Sequence, residues 1–201
     1  MSELTVLRAV GLKGRVNPAD LATTLNEDPN IVQAATVEFV ESGLLAEGEM
    51  LRLTREGRQH LDRLLAEERS GVDKLAVAAA YDDFRTVNAE FKAVVADWQL
   101  KDSLPNAHDN SAYDSAVLAR LHKIHGRVVL IMTAVAAQLP RLACYTGKLT
   151  AALARIDDGD TAWFTRPIVD SYHTVWFELH EELIAASGLS RAEEAKAGHA
   201  Q

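Results

Sequence analysis

Apolar residues in the first fifth of the chain recur at spacings of three and four. Leu4, Leu7, Val10 and Gly11 predict a short helix that Gly14 ends. Asn17 before Pro18 is the preferred order of an N-cap and a first helical residue, and Ala19, Leu21, Ala22 and Leu25 line the helix that follows. Asp28-Pro29 restarts the chain as a third helix, with Val32, Ala35, Phe39 and Val40 inward and Gly43 as its break. Leu44 and Leu45, a Glu47-Gly48-Glu49 turn, then Met50, Leu51 and Leu53 predict a strand, a tight turn and a strand.

From Arg55 the pattern is helical throughout. Residues 58–100 predict one long helix or two abutting ones, with Phe84, Val87, Phe91, Val94, Val95 and Trp98 as its apolar stripe. The polar run KDSLPNAHDN breaks it. Val117, Leu121, Ile124, Val128, Met132 and Val135 mark the next helix, and Leu142, Leu149, Leu153 and Ile156 another, stopped by Asp-Asp-Gly-Asp. RPIVDSYHTVWFELHEELIAASG predicts a last long helix, apolar over most of its circumference and hence central, closed by Gly188.

Three helices and a hairpin describe a winged helix. The run from PADLATTL through VESGLL to LRLTREGRQHL resembles the core of MarR-type and PadR-type winged-helix proteins, most closely at the L-T-x-x-G junction that leaves the wing. The expected fold is therefore mostly α: a winged helix-turn-helix domain over residues 1–56, a four- or five-helix bundle over 57–190, and a frayed tail over 191–201. The resemblance covers about the first third of the chain and implies a fold more than a function.

Composition narrows the function. The 201 residues carry 21 Lys and Arg against 29 Asp and Glu, a formal charge of -8, so the global field repels phosphate. The single cysteine, Cys144, excludes an internal disulfide and is expected to be a packed, inert thiol within a helix. No stretch has the roughly 20 apolar residues of a membrane span, and no N-terminal run has the form of a signal peptide. A cytoplasmic protein without a membrane partner is the expectation.

Charge matters most in the helix that a winged-helix regulator lays in the major groove. Between Arg15 and Arg52 there is no Lys or Arg, whereas Asp20, Glu27, Asp28, Glu38, Glu41, Glu47 and Glu49 fall there. Duplex affinity comes mostly from cations against phosphate. Only Asn30 and Gln33 stand where a first helical turn would read bases, and Arg52, Arg55 and Arg58 follow the wing as a basic rim. These five residues are the candidate nucleic-acid contacts of a MarR/PadR-like, ligand-responsive dimeric regulator, the alternative reading.

The helical part offers titratable and aromatic residues without a catalytic pattern. His122 and His125 form H-x-x-H. With His173 they suggest a metal site, yet neither H-E-x-x-H nor a di-iron Glu-x-x-His pattern is present. His173 is expected to be a core histidine, bonded to Asp170, Tyr113 or a carbonyl, and His180 lies two turns further on. Trp98, Trp176 and Phe177, with Trp163 and Phe164, could line a ligand pocket, although aromatics at helical spacing commonly form plain core. No catalytic residue, cofactor or metal is expected. A helical metal- or ligand-binding protein is the third reading.

A second resemblance involves TRP and the following DSYHTVWFELHEELI. These residues look like the C-terminal end of bacterial proteins related to pyruvate phosphate dikinase, with none of that enzyme's own motifs present. The resemblance implies an accessory piece beside a separate enzyme. Taken together, the expected role is a non-catalytic regulatory or adaptor protein, whose acidic winged helix contacts a protein partner or packs within a homodimer.

Overall fold

Capping side chains and glycines draw the boundaries of the elements. In the computed structural model, which describes residues 1–198, helix α1 (Glu3–Lys13) begins where the Ser2 hydroxyl accepts from the Thr5 N–H, and ends at Gly14, whose positive φ of 70° suits glycine. Asn17 caps α2 (Pro18–Leu25) by accepting from the Asp20 N–H at 2.8 Å. Asp28 caps α3 (Pro29–Glu41) by accepting from the Asn30 N–H at 2.7 Å. Each cap satisfies a helical N–H that would otherwise lack a partner.

The expected hairpin is reduced to isolated bridges. Leu45 pairs with Leu53 and Val16 with Leu51, both antiparallel, and the Ala46 N–H reaches the Arg52 carbonyl at 2.9 Å. Each arm has only one or two residues facing the core, and the acidic tip from Glu47 to Met50 is exposed. A longer ladder would bury nothing further. On α3, Val32 and Thr36 are fully buried, whereas Ala35, Phe39 and Val40 are only half-buried.

Thr54 and Gly57 weld these arms to helix α4 (Arg55–Ser70). The Thr54 hydroxyl donates to the Gly43 carbonyl at 2.7 Å and accepts from the Gly57 N–H at 2.9 Å, while the Thr54 N–H donates to the Leu44 carbonyl at 3.1 Å. Gly57 is buried against that backbone. A Cβ there would collide with the Leu44 carbonyl oxygen and lie 2.9 Å from its carbon. The Thr-x-x-Gly spacing thus follows from one close backbone approach.

Helix α4 packs on α1 and groups with the first compact unit, Met1–Gly71. The division therefore falls after Gly71, later than the expected boundary at residue 56. Leu61 and Leu65 are the cause, because the buried side of α4 belongs to the first unit's core.

The second unit runs from Val72 onward and is a helical bundle. The long helical stretch is two helices, since Asp73 starts α5 (Lys74–Gln99) by accepting from the Leu75 and Ala76 N–H groups. After α5, the polar break holds a two-residue hairpin, β1 (Leu100–Lys101) with β2 (Leu104–Pro105). Asp102 and Ser103 at its tip both have positive φ, as a tight primed turn requires. Helices α6 (Ser111–Gln138), α7 (Cys144–Asp157) and α8 (Tyr172–Ala186) follow. The buried residues of α6 are the six of the expected stripe, and those of α7 include its expected four apart from Leu142, which is buried in the preceding turn.

Helix α8 is central, burying residues on almost every side. The expected frayed tail instead contains α9 (Arg191–Lys196), closed by a capping box between Ser190 and Glu193. Residues 199–201 of that tail lie outside the described residues. No helix among the described residues is long and apolar enough to cross a membrane.

Gly57→Ala is expected to destabilise the first unit by about 2–3 kcal/mol, because backbone has to move. Gly126→Ala, on an open face of α6 with nothing within 4 Å, is expected to stabilise the second unit by about 0.5–1 kcal/mol. Denaturant unfolding followed by circular dichroism measures both.

Candidate functional site

The outward face of α3 is set by what its inward face buries. With Val32 and Thr36 inside, a helical wheel turns Asn30, Ala34, Val37, Glu38 and Glu41 outward, flanked by Ile31 and Gln33. All seven are exposed. Ile31 keeps 51% and Val37 44% of its surface in solvent. The face therefore combines aliphatic groups with two carboxylates and has no cation of its own. Arg52 lies between buried Leu51 and Leu53 and points outward by the alternation of an extended segment. Arg55 and Arg58 are exposed on α4.

In the second unit the expected pocket aromatics pack on one another. The Trp176 ring lies 4.2 Å from that of Phe91 and 5.2 Å from that of Phe84, centroid to centroid, and its indole N–H donates to the Asn88 amide oxygen at 2.9 Å. Trp98 packs on Phe164 at 5.3 Å and on His108 at 4.4 Å. Phe177 departs from the expectation, being 41% exposed beneath the Arg191 guanidinium at 4.7 Å. A surface hollow of about 470 Å³ lies elsewhere, beside Asp97, Lys101, Asp102 and Tyr113.

The histidines are redistributed. His173 is not the core histidine: it is exposed, its ring 6.1 Å from that of Phe91. His122 pairs with Asp157 at 3.0 Å at the surface. His125 is half-buried, with Nδ1 3.2 Å from the Tyr172 hydroxyl, and burial followed by the nearby His122 pushes its pKa down. His122, His125 and His173 thus have different neighbours: Asp157, Tyr172 and Phe91. Among the described residues no group of three or more His, Cys, Asp or Glu is placed to hold a metal ion. Cys144 is exposed in the first turn of α7, its thiol bonded to the Arg141 carbonyl, rather than packed within a helix.

Among the described residues the buried histidine is His180, 6% exposed. It belongs to a polar cluster that crosses the bundle. His180 Nε2 is 3.2 Å from the Tyr81 hydroxyl, which donates to Glu194 Oε2 at 2.6 Å, and Arg85 pairs with the same carboxylate. Tyr81 and Glu194 are themselves almost wholly buried. Burial first, then the bond to Glu194, raises the Tyr81 pKa, while the same carboxylate raises that of Arg85. Buried Glu182 on α8 meets Arg141 at 2.9 Å. Tyr81 continues the α5 stripe one turn before Phe84, whereas Arg85, Glu182 and Glu194 carry no periodic signature. The S-x-x-E of Ser190–Glu193 is the one local sign that α9 would form.

Burial, followed by the positive charge of Arg191, lowers the His180 pKa to about 4, with Glu194 opposing and Lys92 and Arg85 contributing. An unfolded histidine titrates near 6.5, so between these values the unfolded chain binds more protons. The cost appears as pH falls through 6.5 and levels off below 4, reaching about 3 kcal/mol. NMR of the imidazole nitrogens is expected to find His180 neutral at pH 5.5. A resonance that titrates near 6.5 contradicts its burial.

No protein-family model, curated protein or solved structure matches the chain.

Proposed function

We propose that the chain is a non-catalytic regulatory or adaptor protein whose first unit is a winged helix turned to protein contacts. Three capped helices, the bridged arms and the Thr54–Gly57 junction support the winged-helix reading. The observation that carries the function is the outward face of α3, where Ile31 and Val37 stand exposed among Glu38 and Glu41 with no Lys or Arg between Arg15 and Arg52.

Each part of that face disfavours a duplex and suits a polypeptide. A carboxylate brought to about 4 Å from a phosphate costs roughly 1 kcal/mol in water and more where water is excluded. Duplex binding also draws its affinity from released counterions, which needs cations that this face lacks. Covering the exposed parts of Ile31 and Val37 with apolar groups contributes about 2–3 kcal/mol, and a basic rim on the partner would answer the two glutamates.

The partner is a polypeptide, either a second copy or a separate enzyme. The likeness of DSYHTVWFELHEELI to the end of dikinase-related proteins puts such an enzyme first among partners to test. The reading assigns no catalysis to this chain, and no reactive constellation is needed for it.

A photo-crosslinker placed at Val37 of the full chain, in the cells that make it, is expected to trap polypeptide. Ile31→Glu in the same chain is expected to cut that yield by about tenfold, the equivalent of 1.4 kcal/mol. A nuclease-sensitive adduct as the main product overturns the reading.

A further inference from the structure

Helix α9 buries a single side chain, and that side chain is a carboxylate. Glu194 is buried, while Ala192 and Ala195 face solvent. A helix of six residues has little stability alone, and its capping box fixes only its start. Leu189 ahead of it packs partly on the bundle core. The helix itself is held by polar contacts.

Those contacts form a receptor for one carboxylate. Arg85 meets Glu194 side-on, with Nη2 on Oε1 and Nε donating to Oε2 at 3.1 Å. The Tyr81 hydroxyl donates to Oε2 at 2.6 Å. Since that hydroxyl spends its proton on Glu194, its oxygen accepts from His180 Nε2, which fixes the proton on that nitrogen. Asp82 steadies Arg85 from behind at 2.7 Å, and the guanidinium lies 4.5 Å from the Tyr81 ring centroid. A planar fork plus a hydroxyl is a donor set suited to a carboxylate.

Receptor and guest come from different parts of the unit. Tyr81, Asp82 and Arg85 lie on α5 and His180 on α8, helices locked by the bundle core. The guest arrives on α9, after the link Ser187–Ser190, with one further clasp where Arg191 pairs with Glu181 over Phe177. We propose that Arg85, Tyr81 and His180 form a carboxylate-binding site which Glu194 fills in cis, and that an acidic helical segment of a partner protein takes the site by displacing α9. The resident sequence, Ala192-Glu193-Glu194-Ala195, is the template for that segment: an exposed short helix presenting one glutamate. The site is in the second unit and does not depend on the reading of α3.

Binding of the peptide Ac-SRAEEAKAG-NH2, matching residues 190–198, to the full chain tests the site by calorimetry. The Glu194→Gln chain is expected to bind it at least about tenfold more tightly than the unaltered chain, whose own glutamate competes at high effective concentration. The same peptide with Glu194→Gln is expected to bind at least about tenfold more weakly. Equal binding of the two peptides to the folded Glu194→Gln chain, or no binding, overturns the proposal. Should that variant fail to fold, hydrogen exchange on the unaltered chain decides. Amides of α9 are expected to exchange at least about tenfold faster than those of α8 through local opening, and exchange of both at one common rate overturns the proposal.

Discussion

A helix that is apolar on nearly every side has to be enclosed, and α8 imposes that requirement on the whole second unit. Val175, Trp176, Leu179, Leu183 and Ile184 each need a neighbour, and α5, α6 and α7 supply the stripes that provide them. Enclosure brings a second obligation. Glu178, His180 and Glu182 are carried into the interior with the apolar residues, where polar groups are retained only with partners. Arg141 answers Glu182, and Tyr81 answers His180. The ring stack Phe84–Trp176–Phe91 is pinned in register by the bond from Trp176 to Asn88. These polar contacts thus follow from the burial of one helix.

The first unit answers a different constraint. Its core is small, and its arms pair only at isolated bridges, so the junction at Thr54 and Gly57 carries the connection between arms and helix. With Val32 and Thr36 turned into that core, the opposite face of α3 has to meet solvent or a partner. Two aliphatic side chains and two carboxylates there define the chemistry of any contact. That face and the Arg85 receptor have opposite preferences, the first for a basic, partly apolar surface and the second for an acidic segment.

Much of the framework was legible because burial has a period. The stripes on α5 and α6 were readable from valine, leucine and phenylalanine at spacings of three and four, and the Asn17 and Asp28 caps from their proximity to proline. The hairpin was overread, because alternation cannot tell a ladder from two bridges. His173 was expected in the core for a similar reason: on a helix apolar over most of its circumference, periodicity does not say which remaining strip meets solvent. The Glu194 site was not legible at all. Its members are 109 and 113 residues apart in sequence, and long-range charge pairing leaves no local pattern. Helix α9 looked frayed because its composition is polar, yet its attachment is itself polar.

The central claim is that the exposed face of α3 engages polypeptide and not nucleic acid, and salt dependence of duplex binding by the unaltered chain tests it most directly. Fluorescence anisotropy of labelled duplex of mixed sequence, titrated with protein from about 20 to 150 mM salt, is predicted to stay flat, because few phosphates are neutralised. Binding at low salt that weakens steeply as salt rises, and that is lost on Arg52→Ala or Arg55→Ala, would contradict it.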